Sequence, residues 1–309
     1  MKCRLFAATF CAALALSAFA QLPVPGTVVP LWPHGTPEPA QTTASQANVA
    51  TEKETLAAGY AMVRLSNVTQ PAITLYPAPG AGNHAAALVF PGGGYKRLAM
   101  EIEGTQTCAW LNSIQVSCLI VTYRVPEDGV YPANPADLED AQQAMRLARA
   151  HAADWHLDAE KIGIVGFSAG GNLGALLSTH ADDEHVLSTP AKADVPTAHG
   201  KPLDARANFA VLVYPAYLAV APDQRELQAT YAPNKLTPPT FLIAAGDDKL
   251  YGRNAPVYYR ALLDAGVPAD LHMFATGGHG FGTYPPVTKP ENNWTALATA
   301  WLRNLKVAP

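Results

Sequence analysis

The chain predicts an α/β fold with a mostly parallel central sheet, helices on both faces and no large lid domain. Three observations carry that expectation. Short apolar, β-rich runs recur along the chain; helical patterns fall between them; and 309 residues at 49% hydrophobic content can bury one substantial core. The runs are Ala86–Phe90, Cys118–Tyr123, Ile162–Phe167, Ala210–Tyr214, Thr240–Ala244 and Ala269–Phe274. Strands apolar along their whole length suit a sheet covered on both sides. The helix patterns lie near Glu101–Ser113, Pro135–Trp155, Ala169–His180, Arg253–Gly266 and Asn292–Leu305. Pro135 and Asp137 open the second favourably, and Gly266-Val267-Pro268 closes the fourth. Upstream, Ala61–Leu65 and Ala72–Tyr76 read as antiparallel edge strands, and residues 22–50, rich in Pro and Ala, as an extended arm on the surface. Ala181–Arg206 and Ala216–Pro239 read as loops, the second with a short helix around Arg225–Thr230. Neither is long enough for a lid, which leaves an open cleft.

Residues 1–20 have the pattern of a signal peptide. Lys2 and Arg4 form a basic start, Leu5 to Leu16 is apolar, and Ala18-Phe19-Ala20 fits a cleavage site before Gln21. The division expected is a leader at 1–20, an arm at 21–60 and a catalytic domain at 61–309, exported to the periplasm or beyond. The formal charge of −4, about −6 once Lys2 and Arg4 leave, provides no footing for nucleic acid or an anionic membrane surface. No later run reaches the roughly 18 apolar residues of a membrane span. Of four cysteines, Cys3 and Cys11 leave with the leader. Export would permit a Cys108–Cys118 bridge, but a helix position for one and a strand position for the other favour two buried thiols. Neither has metal-ligand spacing, so no metal site is expected.

The chemistry concentrates at Gly166-Phe167-Ser168-Ala169-Gly170, between a strand pattern and a helix pattern. Alone the Gly-x-Ser-x-Gly match is weak, since about one chain in ten of this length carries it by chance. In context it forms a sharp turn that holds Ser168 proud of the sheet edge, with Gly166 and Gly170 letting neighbouring backbone pass. A serine nucleophile needs a base, a group that orients the base, and donors for the oxyanion. His279, in Thr276-Gly277-Gly278-His279-Gly280, follows the last strand on a loop able to carry an imidazole over the sheet edge. Surface or packing roles account for His34, His84, His151, His156, His180, His185 and His199, and His272 packs within its strand. The orienting acid comes from Asp247-Asp248 after Thr240–Ala244. The spacing admits either carboxylate; Asp248 is favoured, with Asp247 capping the following turn. Pro91-Gly92-Gly93-Gly94-Tyr95 follows the Ala86–Phe90 run, and its glycines allow the Gly93 or Gly94 N–H to join that of Ala169 as oxyanion donors. A phosphate loop would need Lys and Ser/Thr at fixed spacing, and Lys96-Arg97 does not supply them. Tyr95, with Tyr217 and Tyr251, is a candidate substrate contact, though rings at such positions more commonly pack in the core.

These motifs occur in the order Pro91-Gly92-Gly93-Gly94-Tyr95, Glu103-Gly104, Trp110-Leu111-Asn112, Tyr123-Arg124, Gly166-Phe167-Ser168-Ala169-Gly170-Gly171, Tyr214-Pro215, Asp247-Asp248 and Gly277-Gly278-His279-Gly280-Phe281. The set resembles secreted bacterial α/β-hydrolases of the acetylesterase or acetyl xylan esterase-like branch, over roughly residues 60–305. The resemblance implies an α/β-hydrolase fold and a serine esterase that removes short acyl groups, chiefly acetyl, from carbohydrate or small alcohol esters. It implies Asp248, the second of the pair, as the acid, and it calls for no cofactor. Two departures touch substrate choice. Lys249-Leu250-Tyr251 stands where that branch commonly has Pro and a valine-rich stretch, and the segment after Tyr214-Pro215 is short. Two rival readings share the elbow. A prolyl-oligopeptidase-like peptidase would need an access-restricting domain for which the chain has no room. A non-catalytic binding module would be expected to have lost a member of the catalytic set, and none is missing.

Overall fold

A computed structural model describes residues 25–39, 41–50, 62–80, 82–126, 131, 134–284 and 289–309. The leader read at 1–20 lies outside them. Eight strands form the central sheet: β1 (Val28–Pro30), β2 (Ala72–Tyr76), β3 (Ala86–Phe90), β4 (Ser117–Thr122), β5 (Ile162–Phe167), β6 (Ala210–Val213), β7 (Thr240–Ala245) and β8 (Ala269–Phe274). Their order across the sheet is β1-β2-β4-β3-β5-β6-β7-β8. β2 pairs antiparallel with both β1 and β4, and every pairing from β4 to β8 is parallel.

Period-2 alternation divides the apolar side chains into two cores. Leu88 and Phe90, Ile162 and Ile164, Leu212, Leu242 and Ala244 face α2 (Ala136–Ala150), α3 (Ala169–His180) and α4 (Asn254–Asp264). Val89, Val165, Phe167, Val211, Phe241 and Ile243 face α1 (Gln106–Ser113) and α5 (Trp294–Asn304). β3, β5, β6 and β7 are buried along their whole length, which is why each reads as an unbroken apolar run. Among the described residues, no helix is long and apolar enough to cross a membrane.

Several elements differ from the sequence expectation. Ala72–Tyr76 is not the sheet edge: Val28–Pro30 of the arm pairs outside it, with Leu31 fully buried and the Trp32 indole donating to Asp140 at 2.7 Å. Residue 61 of the strand expected over 61–65 lies outside the described residues, and Arg64–Ser66 joins Ala47–Asn48 and Leu98–Ala99 in a separate small sheet. The second helix stops at Ala150, five residues early, and the next residues turn back with the His151 and Trp155 rings stacked at 4.8 Å. The Ala181–Arg206 segment carries two short 3₁₀ turns and a two-strand hairpin. Around Arg225–Thr230 an Ala219–Leu227 bridge and a 3₁₀ turn at Ala229–Tyr231 replace the helix. Both segments lie on the body, and among the described residues there is no lid domain.

The cysteines are a correction. Cys108 of α1 and Cys118 of β4 form a disulfide, with Cα atoms 5.2 Å apart. A buried helix face and a buried strand predict separate thiol sites, yet α1 packs directly on β4 and brings the two side chains together. Adjacency of that kind is set by packing and cannot be read from spacing.

Candidate active site

Five loops leave the carboxyl ends of β3, β5, β6, β7 and β8 on one edge of the sheet, where open α/β sheets place their ligands. The β5 loop is a single residue. Ser168 stands between β5 and α3 with φ 51° and ψ −115°, a conformation that costs a non-glycine residue on the order of 1–3 kcal/mol. It is held by its own backbone: Ser168 N–H donates to Val213, and its carbonyl accepts from Asn172 and Ala216. The flanking glycines are required by close approach. A Cβ on Gly166 would lie 2.3 Å from the Gly170 carbonyl, and one on Gly170 would lie 2.0 Å from that of Phe90. Only bare backbone lets α3 start so near β3.

Ser168 Oγ lies 2.7 Å from His279 Nε2, and His279 Nδ1 lies 2.7 Å from Asp248 Oδ2. The consistent tautomer has Nδ1–H donating to Asp248 and Nε2 accepting from the serine hydroxyl. Asp248 is buried, and its other oxygen accepts the N–H groups of Leu250 and Tyr251, each at 3.0 Å. One carboxylate therefore both orients the imidazole and caps the turn after β7. Asp247, expected in that capping role, instead accepts the Gly278 N–H at 2.8 Å and the Gly277 N–H at 3.3 Å. It ties down the loop that carries His279.

The β3 loop places Gly92 against the nucleophile, where a Cβ would lie 2.8 Å from that of Ser168. Gly93 and Gly94 follow with φ of 141° and 67°, and a Cβ on Gly93 would collide with the Arg97 carbonyl at 1.9 Å. Among the described residues, no hydrogen bond occupies the N–H of Gly93, Gly94 or Ala169. Those three N–H groups are free to receive a developing oxyanion beside Ser168.

Aromatic rings close the site. The Tyr214 ring meets the His279 imidazole edge-on with centroids 5.1 Å apart, and Tyr251 packs on it at 4.8 Å. Tyr95 is buried, with its hydroxyl donated to Asn172 at 2.7 Å and its ring stacked on Tyr217 at 6.2 Å. It supports Tyr217 from beneath. Tyr217 and Tyr251, both half-buried, line a cavity of about 400 Å³ with Ala219, Val220, Gln224 and Gln228. His272 packs on Phe241 within the sheet, at 4.9 Å between centroids, as its strand position implied. Sequence reasoning gave Tyr214 no role, because nothing in the chain signals that β6 ends beside the last loop.

The chain belongs to the α/β hydrolase fold family, whose model matches residues 87–283. Among curated proteins it is 31% identical over 219 residues to an acetylxylan esterase of Xylanibacter ruminicola, covering 62% of this chain and 40% of that protein. It is 28% identical over 246 residues to the esterase LipI of Mycobacterium tuberculosis, covering 69% and 72% respectively. The chain thus spans about two fifths of the acetylxylan esterase's length. Among solved structures, the acetyl ester-xyloside bifunctional hydrolase of Caldicellulosiruptor lactoaceticus superposes with a TM-score of 0.67 at 27% identity, covering 92% of this chain and 98% of that one.

Proposed function

We propose that this chain is a serine carboxylesterase that removes short acyl groups, chiefly acetyl, from carbohydrate or small alcohol esters. The observation that carries the reading is the continuous contact from Asp248 through His279 to Ser168, beside three unoccupied N–H donors. His279 takes the Ser168 proton through Nε2 as Oγ attacks the ester carbonyl. Asp248 stabilises the imidazolium through Nδ1–H, and the N–H groups of Gly93, Gly94 and Ala169 hold the oxyanion. The imidazolium then protonates the departing alcohol. Water, activated by the same base, hydrolyses the acyl-enzyme and releases the acid. Every proton passes through side chains of this chain.

The acetyl preference is supported by the acetylxylan esterase and acetyl ester-xyloside hydrolase among its relatives. No observation favours the peptidase or the binding module. Ser168→Ala should lower kcat on p-nitrophenyl acetate by at least about 10⁴-fold while the protein stays folded. Near-normal turnover by that variant would exclude the mechanism. Acetate release from acetylated polysaccharides, set against p-nitrophenyl esters of increasing chain length, would resolve the substrate class.

Export belongs to the same reading. It is supported by the leader pattern at 1–20 and by the Cys108–Cys118 disulfide, which suits an oxidising compartment. N-terminal sequencing of protein recovered outside the cytoplasm should begin at Gln21. Recovery only from the cytoplasm with Met1 intact would exclude it.

A further inference from the structure

A buried acid lies between the loop of the oxyanion donors and the loop of the base. Glu103 sits in the π-helical turn Glu101–Thr105 that leads into α1, and it is 4% exposed. Its Oε2 accepts the Gly92 N–H at 2.6 Å, and its Oε1 accepts the Tyr214 hydroxyl at 2.8 Å. The Tyr214 oxygen in turn accepts the Gly282 N–H at 2.9 Å. Tyr214 is buried as well. Because its oxygen receives an amide proton, its own proton points to Glu103. Both carboxylate oxygens are then acceptors, and the ionised acid is the form in which every donor along the chain is satisfied.

The two ends of this chain are the backbone of the two catalytic loops. Gly92 immediately precedes the donors Gly93 and Gly94, and Gly282 lies three residues beyond His279. Gly92 is also confined: a Cβ there would lie 2.6 Å from the Phe167 carbonyl, 2.8 Å from Ser168 Cβ and 2.9 Å from Glu103 Oε2. A shift of the acid would therefore reach the nucleophile's neighbour directly.

We propose that Glu103 is a positioning residue for the ester hydrolysis: it sets the oxyanion loop through Gly92 and the histidine loop through Tyr214 and Gly282. The proposal rests on the assignment of Ser168, His279 and the Gly93/Gly94 donors made above. The titratable and charged groups facing Glu103 are Arg64, His279, Tyr123, Tyr214 and Tyr284, contributed by separate segments. Burial pushes the Glu103 carboxyl up, against the pull of the Tyr214 and Gly92 donors and the charge of Arg64.

The test compares Glu103→Gln and Tyr214→Phe with the unsubstituted enzyme on p-nitrophenyl acetate from pH 5 to 9, alongside thermal melts and fluorophosphonate labelling of Ser168. A glutamine cannot accept from both Gly92 and Tyr214, so Glu103→Gln should lower kcat by about 10- to 100-fold with KM within threefold, the scale of a small misplacement. Tyr214→Phe breaks the link to the histidine loop, so kcat should fall about tenfold with KM within threefold. A folded Glu103→Gln protein with kcat within twofold of normal, or with KM raised in step with the loss of kcat, would overturn the proposal. If Glu103→Gln does not fold, Tyr214→Phe decides: kcat within twofold of normal overturns the proposal, and a kcat loss at constant KM upholds it. Absence of both turnover and Ser168 labelling in the unsubstituted enzyme would instead overturn the esterase reading, and this proposal with it.

Discussion

His279 is held by a carboxylate at one nitrogen, the serine hydroxyl at the other, and tyrosine rings packed against its imidazole. A ring so confined has one orientation, which is what the proposed transfer of the Ser168 proton to a leaving alcohol would require. The two aspartates after β7 divide the work. Asp248→Asn should lower kcat by about 10³- to 10⁴-fold, because an amide can hold the imidazole in the wrong tautomer. Asp247→Asn loses charge at the Gly277 and Gly278 N–H groups but keeps an acceptor, so kcat should fall no more than about tenfold. Steady-state kinetics on p-nitrophenyl acetate check both, and equal losses would contradict the division. The pairing of Ser168 with His279 was legible because each residue type has a narrow chemical use and both stood in glycine-rich turns. The role of Asp247 was not legible. An acid beside a turn looks the same in sequence whether it caps that turn or reaches across to another loop.

At the scale of elements, strand bounds followed the apolar pattern, in buried β3 and β5 and in the partly exposed edge strand β8 alike. β3, β5 and β8 fall where the apolar runs place them, since each run ends where the chain leaves the sheet. The errors lie where tertiary contact outweighs local pattern. Residues 151–155 continue a helical pattern but turn back, and the arm at Val28–Pro30 has no apolar run long enough to announce a strand. The Cys108–Cys118 bridge pins α1 to β4 at the strand's amino end, opposite the catalytic loops. Replacing both cysteines with alanine should cost about 2–3 kcal/mol, the range for closing so short a loop, with kcat unchanged. Denaturant melts and p-nitrophenyl acetate kinetics on the same preparation test this; a parallel loss of kcat would mean that the bridge also shapes the site.

For the whole molecule, one buried polar cluster joins the arm, the sheet and α2. Arg124 is almost fully buried, and its guanidinium meets Asp140 at 3.0 Å and Glu139 at 3.2 Å. Trp32 of the arm donates to the same Asp140, and Glu38 reaches the Arg124 guanidinium at 3.8 Å. Burial, with Glu38 alongside, pushes the Glu139 carboxyl up to about 8, and burial pushes Glu101 up to about 6. The hydrogen bond that His185 donates to Glu139 raises His185. Each of these groups holds its proton longer in the folded protein than in the unfolded chain. Between the ordinary carboxylate value of 4.5 and about 8 the folded state therefore binds more protons, and stability falls as pH rises. The melting temperature should decline from pH 5.5 to pH 8.5; a flat or rising profile would show that the cluster does not titrate in this way.

The fold class, the run of parallel strands and the meeting of Ser168 with His279 were legible in the residue pattern alone. Those properties rest on local periodicity and on glycines that the backbone requires next to Ser168 and His279. Folding in three dimensions settles which aspartate faces the imidazole, that Cys108 meets Cys118, that the arm completes the sheet, and that Glu103 and Tyr214 lie between the Gly92 and His279 loops. These are contacts between residues distant in the chain. Their geometry is set by how the helices pack on the twisted sheet, and no local pattern encodes it.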